Sequence, residues 1–539
     1  MKRFCALCLT VIMVLSLLTG CNSQNADQTQ GGGTTAAADS GNADKTQGGE
    51  TTAAADSGSS EAGRKDYIDY DEEPYEVVIE CLNLGSNMDS VPQMEAAVNA
   101  ITEPAINVKV KLQVIHIADH ATKTALWSAG GEKVDIFYTG TTVPFAQFVA
   151  DGMIIPMTQY LDERGATIKE KMGDLLDAFK VNGEIYAIPQ SIYCAGGLGF
   201  GYNADMAKQL GLTLPETWDL DSVTELGYAI KKADPSKYLT AKNGATDAGE
   251  IYYYCGLDGF GTSTAAYGVL LDPINSTTIE NLYTSDIFRD YCLHNIEWKE
   301  NDFMPADQAV NGENVQDIFK AENCFMTWVG SNPMEALIKQ TSTSFDYKVA
   351  YTTVPLLTSA GVQEKSWGIS TNCSRPDKAM DFLNFLFESP DVANILNYGI
   401  EGQDYTFVEG SDKIITYPEG VDSTNVGWSR SFCAFGDDRE NYQFAPATEA
   451  YYDEIRTFNE NAVAIATLGY TFDASPVSNQ IASVTNVVQE YVPSLVYGEI
   501  SEDKLDDYLA ELNGKLEEAG ILKIIEENQK QLDAWLASK

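Results

Sequence analysis

Basic side chains are scarce in this chain. Thirty-five lysines and arginines face 79 aspartates and glutamates, giving a formal net charge of −44 over 539 residues. Such a surface repels nucleic-acid phosphates and anionic lipid, so neither is expected as a partner. It also bears against an anionic ligand unless a local basic pocket overrides it. Histidine is rarer still, with three in all. His116 and His120 stand four apart, but His116 belongs to an alternating run and no H-E-x-x-H is present. A surface or strand-end role is therefore expected for them, and no metal site. There is no G-x-S-x-G elbow, no phosphate loop ending in G-K-[ST] and no EF-hand. The cluster from Gly196 to Gly201 lacks dinucleotide-loop spacing and is expected to mark close backbone packing beside a chain crossing. Beyond the leader, where Cys5 and Cys8 stand at that spacing, no C-x-x-C pair occurs. The seven cysteines beyond the leader (Cys81, Cys194, Cys255, Cys292, Cys324, Cys373, Cys433) are scattered singly. They read as mostly free, buried thiols that would suit a reducing habitat. A glycosidase needs two facing carboxylates, and so many acids neither reveal nor exclude such a pair.

What is present begins with an address. Lys2-Arg3 precedes an apolar run from about Phe4 to Leu18, the length of a signal-peptide core and short for a membrane span. It ends in Leu18-Thr19-Gly20-Cys21, which resembles the lipobox of bacterial lipoproteins. That resemblance implies a leader over residues 1–20, cut before a Cys21 that carries lipid on its sulfur. The other reading is a plain secretory signal with an incidental cysteine. Residues 21–70 form a low-complexity tether, in which TQGGGTTAAADSG (29–41) returns as TQGGETTAAADSG (46–58). The repeat carries no large apolar side chain to bury, so it lengthens a leash rather than building a solenoid. About 40 flexible residues reach roughly 35 Å. No later stretch is long and apolar enough to span a bilayer, which places the body outside the cytoplasm.

The body alternates strands with helices. Residues 75–82 (YEVVIECL), 107–117 (NVKVKLQVIHI) and 134–138 (VDIFY) read as strands, and Asp119 as the start of a helix closed by Gly130-Gly131. This predicts βαβ units and a largely parallel sheet, with ligand loops beyond the strands' carboxyl ends. A second α/β region spans about 196–340. Residues 347–354, 366–370 and the amphipathic 377–387 make a further unit. Residues 482–539 are helical, with interruptions expected at Gly514 and Gly520.

Several segments together resemble family 1 extracellular solute-binding proteins of ABC transporters. Asp135-Ile136 followed by residues 148–157 (FVADGMIIPM) is similar to the family's D-I…G-x-L-x-P-L passage. So are Asn182-Gly183 through Pro189, and Gly201-Tyr202-Asn203-Ala204-Asp205 leading to Thr217-Trp218. Phe325-Met326-Thr327 through Gly330, and Ser366-Trp367-Gly368-Ile369-Ser370, continue the pattern. Residues 398–405 and the tail resemble the LipO-like lipoprotein branch. The resemblance implies an α/β, two-lobed periplasmic-binding-protein-like (type II) fold with an interlobe cleft and a helical C-terminal tail. Lobe 1 would comprise 71–188 with 355–400, and lobe 2 would comprise 189–354 with 401–539. Crossings are expected near Pro189, Pro355 and Glu401.

The same resemblance implies a monomer without cofactor or catalysis that captures a small polar ligand, an oligosaccharide foremost, and passes it to ABC permease subunits. Membrane contact is through the lipid alone, on the outer face of the cell membrane. A surface adhesive lipoprotein and a secreted glycosidase are the alternatives. Sugar sites join aromatic platforms to hydrogen-bonding side chains. The expected platforms are Tyr193, Trp367 and Trp428, and the expected polar contacts are Asn87, Asp89, Thr139, Asn332, Glu401 and Arg430. Thr141, Tyr253 and Ser331 complete the expected cleft loops.

Overall fold

The computed structural model describes residues 65–242, 249–306, 315–341 and 343–538. The leader, Cys21 and the tether before residue 65 lie outside the described residues. Strand β1 (Tyr75–Asn83) is buried from Val77 onward, as a β-branched run covered on both faces must be. It pairs in parallel with β2 (Val108–His116) over its whole length and with β3 (Ile136–Gly140) at Ile79 and Ile136. The helix Val91–Ile106, with a proline in its first turn and left-handed Asn107 at its end, returns the chain from β1 to β2. The short β4 (Ile188–Pro189) completes this first passage.

A second sheet is antiparallel throughout. Its centre is β5 (Gly197–Asn203), flanked by β6 (Met326–Ser331) and β7 (Tyr347–Tyr351). Gly197, Gly199 and Gly201 alternate along β5. A Cβ on them would run into the Tyr351 ring, the Ala350 carbonyl and the Tyr347 hydroxyl, respectively. The glycine cluster is thus close strand packing. The chain then returns as β8 (Lys365–Ile369), which inserts antiparallel between β3 and β4, so the first sheet runs β2-β1-β3-β8-β4. The sheet is mixed rather than largely parallel because β8 enters from the opposite direction, coming back from the second sheet.

Each sheet carries its own hydrophobic core. The first gathers residues from Ile68 to Ile188 and from Val362 to Leu396, and also Trp428, Cys433 and Phe435. The second gathers Phe200 to Met326 and Tyr470 to Leu532. Three passages join them. Gly196 and Leu356 exchange backbone hydrogen bonds of 3.0 and 2.8 Å, and Leu356–Leu357 runs parallel to Val463–Ala464. The third passage therefore lies at Val463–Ala464, not near Glu401. After Glu401 the chain first builds a small sheet from Thr406–Phe407, Ile414–Thr416 and Gln443–Phe444, and packs Trp428 and Phe435 into the first core. The tail forms three helices, Ser478–Val496, Glu502–Ala519 and Ile521–Ser538. Gly520, at φ +102°, separates the last two, whereas Gly514 sits inside a helix with open space at its Cβ position. The first break falls instead beside Gly498, at φ +62°. All seven described cysteines are free; five are buried and Cys194 and Cys255 are half-buried.

His116 ends β2 at the surface, but His120 is wholly buried, contrary to the surface or strand-end role expected for it. Its Nε2 lies 3.1 Å from the Tyr138 carbonyl and its Nδ1 2.5 Å from the Thr142 hydroxyl. Beside it, buried Glu80 accepts from the Thr124 hydroxyl at 2.8 Å and the Tyr138 amide at 3.2 Å. Among the described residues no group of three or more potential ligands could hold a metal ion. Burial pushes Glu80 up to about 8 and His120 down to about 4. Folded Glu80 keeps its proton where an unfolded glutamate, near 4.5, has lost it. Its contribution is complete below 4.5 and is lost as pH rises through 8. The His120 contribution is complete above 6.5 and is lost as pH falls through 4. The two oppose each other between 4.5 and 6.5, and above that only Glu80 acts. At about 1.4 kcal/mol per pH unit, urea denaturation should show the wild type losing about 2 kcal/mol relative to Glu80→Gln between pH 6.5 and 8.

Candidate functional site

Because the two cores close separately, the space between them is not filled. A cavity of about 820 Å³ occupies it, within the roughly 300–1,000 Å³ of small-molecule sites. The passages supply its floor, from Ser191 to Leu198 together with Leu356 and Thr358. On the side of the first core stand Val362, Glu364, Lys365 and Ala434. The second contributes Tyr252, Tyr253, Trp328 and the turn around Asp258 and Gly259.

The wall from the second core is aromatic and fixed from behind. Tyr253, on the helix Glu250–Cys255, stacks on Trp328 of β6 with ring centroids 4.6 Å apart and planes 25° from parallel. Gly330 makes room for this pair, since a Cβ there would lie 2.9 Å from the Tyr253 ring. The Trp328 indole donates to Glu250 Oε1 at 2.9 Å. Glu250 Oε2 in turn meets Lys242 Nζ at 2.7 Å, and both side chains are buried. Three rings, Tyr254, Tyr291 and Trp298, lie 5.3–5.5 Å from the same ammonium. One fully neutralised ion pair thus orients the indole that faces the cavity.

Polar groups ring the remainder. Asn332 lines the cavity while its Oδ1 accepts from the Glu335 amide at 3.0 Å, which starts the helix Pro333–Thr341. Arg430 donates to Asn397 Oδ1 at 2.8 Å and lies 5.5 Å over the Tyr398 ring. Ser191 donates to Asp438, whose carboxyl burial raises above the usual range against the opposing pull of Ser191 and Arg430. Burial takes the Tyr193 phenol up to about 12 and the Cys194 thiol up to about 12, so both stay protonated at neutral pH. Rings that can stack and side chains that can exchange hydrogen bonds with hydroxyls suit a polar, ring-shaped guest.

The expected residues divide. Tyr193, Tyr253, Asn332 and Arg430 all line the cavity. Trp367 does not face it: fully buried, it stacks on Phe435 at 5.4 Å and meets Tyr138 edge-on. Trp428 is also buried, its indole donating to the Leu396 carbonyl at 2.9 Å. Thr139 is buried against Ser366 at 2.5 Å, and Thr141, two residues on, donates to the Glu364 carbonyl at 3.0 Å. Asn87 and Asp89 form an exposed turn, the Asp89 amide donating to Asn87 Oδ1 at 3.2 Å. Glu401 is exposed on a turn bridged to Tyr405. The Ser331 side chain lies outside the described residues, as does Cys21. Trp328, Glu250, Lys242 and the acids Asp258, Glu335, Glu364 and Asp438 were not anticipated. The signal for Trp328 was present, as the aromatic of β6 two residues before Gly330.

Comparison with known proteins matches residues 86–393 to the family described as "Bacterial extracellular solute-binding protein". Residues 466–537 match a domain of unknown function (DUF3502). A "Carbohydrate ABC transporter substrate-binding protein" of Streptococcus pneumoniae serotype 4 is 22% identical over 86% of this chain and 91% of its own. The crystal structure of the N-glycan transport solute binding protein NgtS from S. pneumoniae superposes with a TM-score of 0.73 at 20% identity, covering 86% of this chain and 99% of that one. An HMO-binding, ABC-transporter-associated solute binding protein from Bifidobacterium longum infantis gives 0.59 at 14% identity, over 86% and 99% of the two chains. These likenesses establish the two-lobed, type II periplasmic-binding fold with its helical C-terminal region.

The buried Lys242–Glu250 pair makes a clear expectation. Lys242→Met leaves an uncompensated buried carboxylate and should lower stability by roughly 3–5 kcal/mol in urea denaturation. Adding Glu250→Gln should recover most of that loss, because the stranded charge is gone.

Proposed function

Because the chain belongs to the bacterial extracellular solute-binding proteins, we propose that it captures an oligosaccharide between its two lobes and delivers it to an ABC importer. The stacked Tyr253–Trp328 wall carries this reading. An aromatic face matches the apolar C–H face of a sugar ring, and the buried ion pair behind it removes the entropy cost of ordering the wall on binding. Tyr193 faces the same cavity, and Asn332 and Arg430 offer an acceptor and donors to hydroxyls. A cavity near the upper end of the usual range favours several rings over one. The saccharide relatives named above support the ligand class.

Capture is by closure of the lobes about the three passages, without turnover. Cys21 carries the lipid that holds the protein on the outer face of the membrane, and the tether gives the body its reach. No helix among the described residues is long and apolar enough to cross a membrane.

Isothermal titration of the body lacking residues 1–64 against a panel of neutral oligosaccharides tests the reading. Binding to at least one is expected, with Tyr253→Ala and Trp328→Ala each weakening it about tenfold or more. Recovery of the saccharide unchanged is expected, and release of shorter products would contradict binding without catalysis. Cys21→Ala should move the full-length protein from the membrane fraction to the medium.

A further inference from the structure

Charge in the cleft is unevenly distributed. Glu335 and Glu364 line the cavity as exposed carboxylates, and Asp258 and Asp438 line it half-buried. Within the described residues none of the four makes an ion pair, unlike Glu250, which Lys242 neutralises. Two cations face them. Arg430 donates from Nη1 to Asn397 Oδ1 and lies over the Tyr398 ring, which fixes its guanidinium at the cleft margin. Lys365 follows Glu364 directly in the chain and is exposed with it. Four acids against two bases leave the cleft lining acidic, inside a protein of net charge −44. Among the described residues Arg430 and Lys365 are the cations of the lining, fewer than its acids, so the cleft does not offset the repulsion of anions by the whole molecule.

We propose that the cleft selects its saccharide by charge, admitting neutral and amine-bearing sugars and turning away those that carry carboxylate or sulfate. The proposal rests on the saccharide reading above and sharpens it. When the lobes close and expel water, the four carboxylates act on the guest through a lower effective dielectric than they do in the open cleft. An acidic sugar then meets four carboxylates against one guanidinium and one ammonium. A protonated sugar amine gains attraction at the same place. Hydroxyls of a neutral sugar can donate to the carboxylates at no electrostatic cost.

Two measurements test this. A glycan array carrying neutral manno-, xylo-, fructo- and N-acetylglucosamine oligomers, chitosan oligomers with free amines, oligogalacturonates and sialyllactose is probed with the tether-free body. The strongest binders are expected among the neutral and amine-bearing sugars, and acidic sugars at the top would overturn the proposal. Independently of any ligand, Ala360→Cys places a thiol on the exposed cleft lining. Its rates with cationic trimethylammonium-ethyl and anionic sulfonato-ethyl methanethiosulfonate are normalised to those of mercaptoethanol. At ~10 mM salt the cationic reagent is expected to be favoured about tenfold. Adding Glu335→Gln and Glu364→Gln should reduce that preference about threefold. A ratio at or below that of mercaptoethanol would overturn the proposal. An array with no binder, alongside a cationic preference at the thiol, would remove the saccharide reading while leaving the charge of the cleft established.

Discussion

The pairing of Gly196 with Leu356, and of Leu356–Leu357 with Val463–Ala464, sets what the rest of the molecule can do. These short ladders are the joint between two hydrophobic cores that each satisfy themselves. A chain that buried all its apolar surface in one core would leave no room for a guest. Here the β-branched strands of the first sheet are covered by their own helices, and the second sheet by its own aromatics and the C-terminal helices. What remains between them is lined by the edges of both cores, Val362 from the first and Leu257 from the second, and by polar side chains beside them.

The same separation explains how the binding wall is held. Trp328 and Tyr253 sit at the margin of the second core, both half-buried. Their position is set from the buried side by Glu250 and Lys242, whose charges cancel and whose flanks are aromatic. Buried ion pairs add little net stability compared with apolar packing, so this one is better understood as a device for orientation. A wall fixed in advance loses little freedom when a sugar arrives.

Much of the fold was legible in the sequence because it rests on local pattern. The alternation of residues 107–117 and the β-branched run at 75–82 gave strands within a residue or two of β2 and β1. Gly520 marked a helix end because its left-handed backbone demands glycine, whereas Gly514 misled because a helix tolerates one exposed glycine at modest cost. The direction of β8 and the position of the third passage were not legible, since both depend on where a distant segment returns. The site split along the same line. Tyr193, Asn332 and Arg430 lie on loops, and Tyr253 on a short helix, that line the cavity. Trp367 and Trp428 carry the side chain of a platform, but the first sits on a covered strand and the second on a loop packed into the first core, and no local signal shows that burial. Lys242 and Glu250 could not have been found, because an ion pair across a core is visible only after folding.

A crystal structure of the tether-free body with the best-bound oligosaccharide of the panel tests the central claim most directly. The expected result is a sugar ring lying against Tyr253 and Trp328, with residues of both cores in contact with the same saccharide. A saccharide bound on the outer surface of either core, with the cleft between them empty, would contradict it.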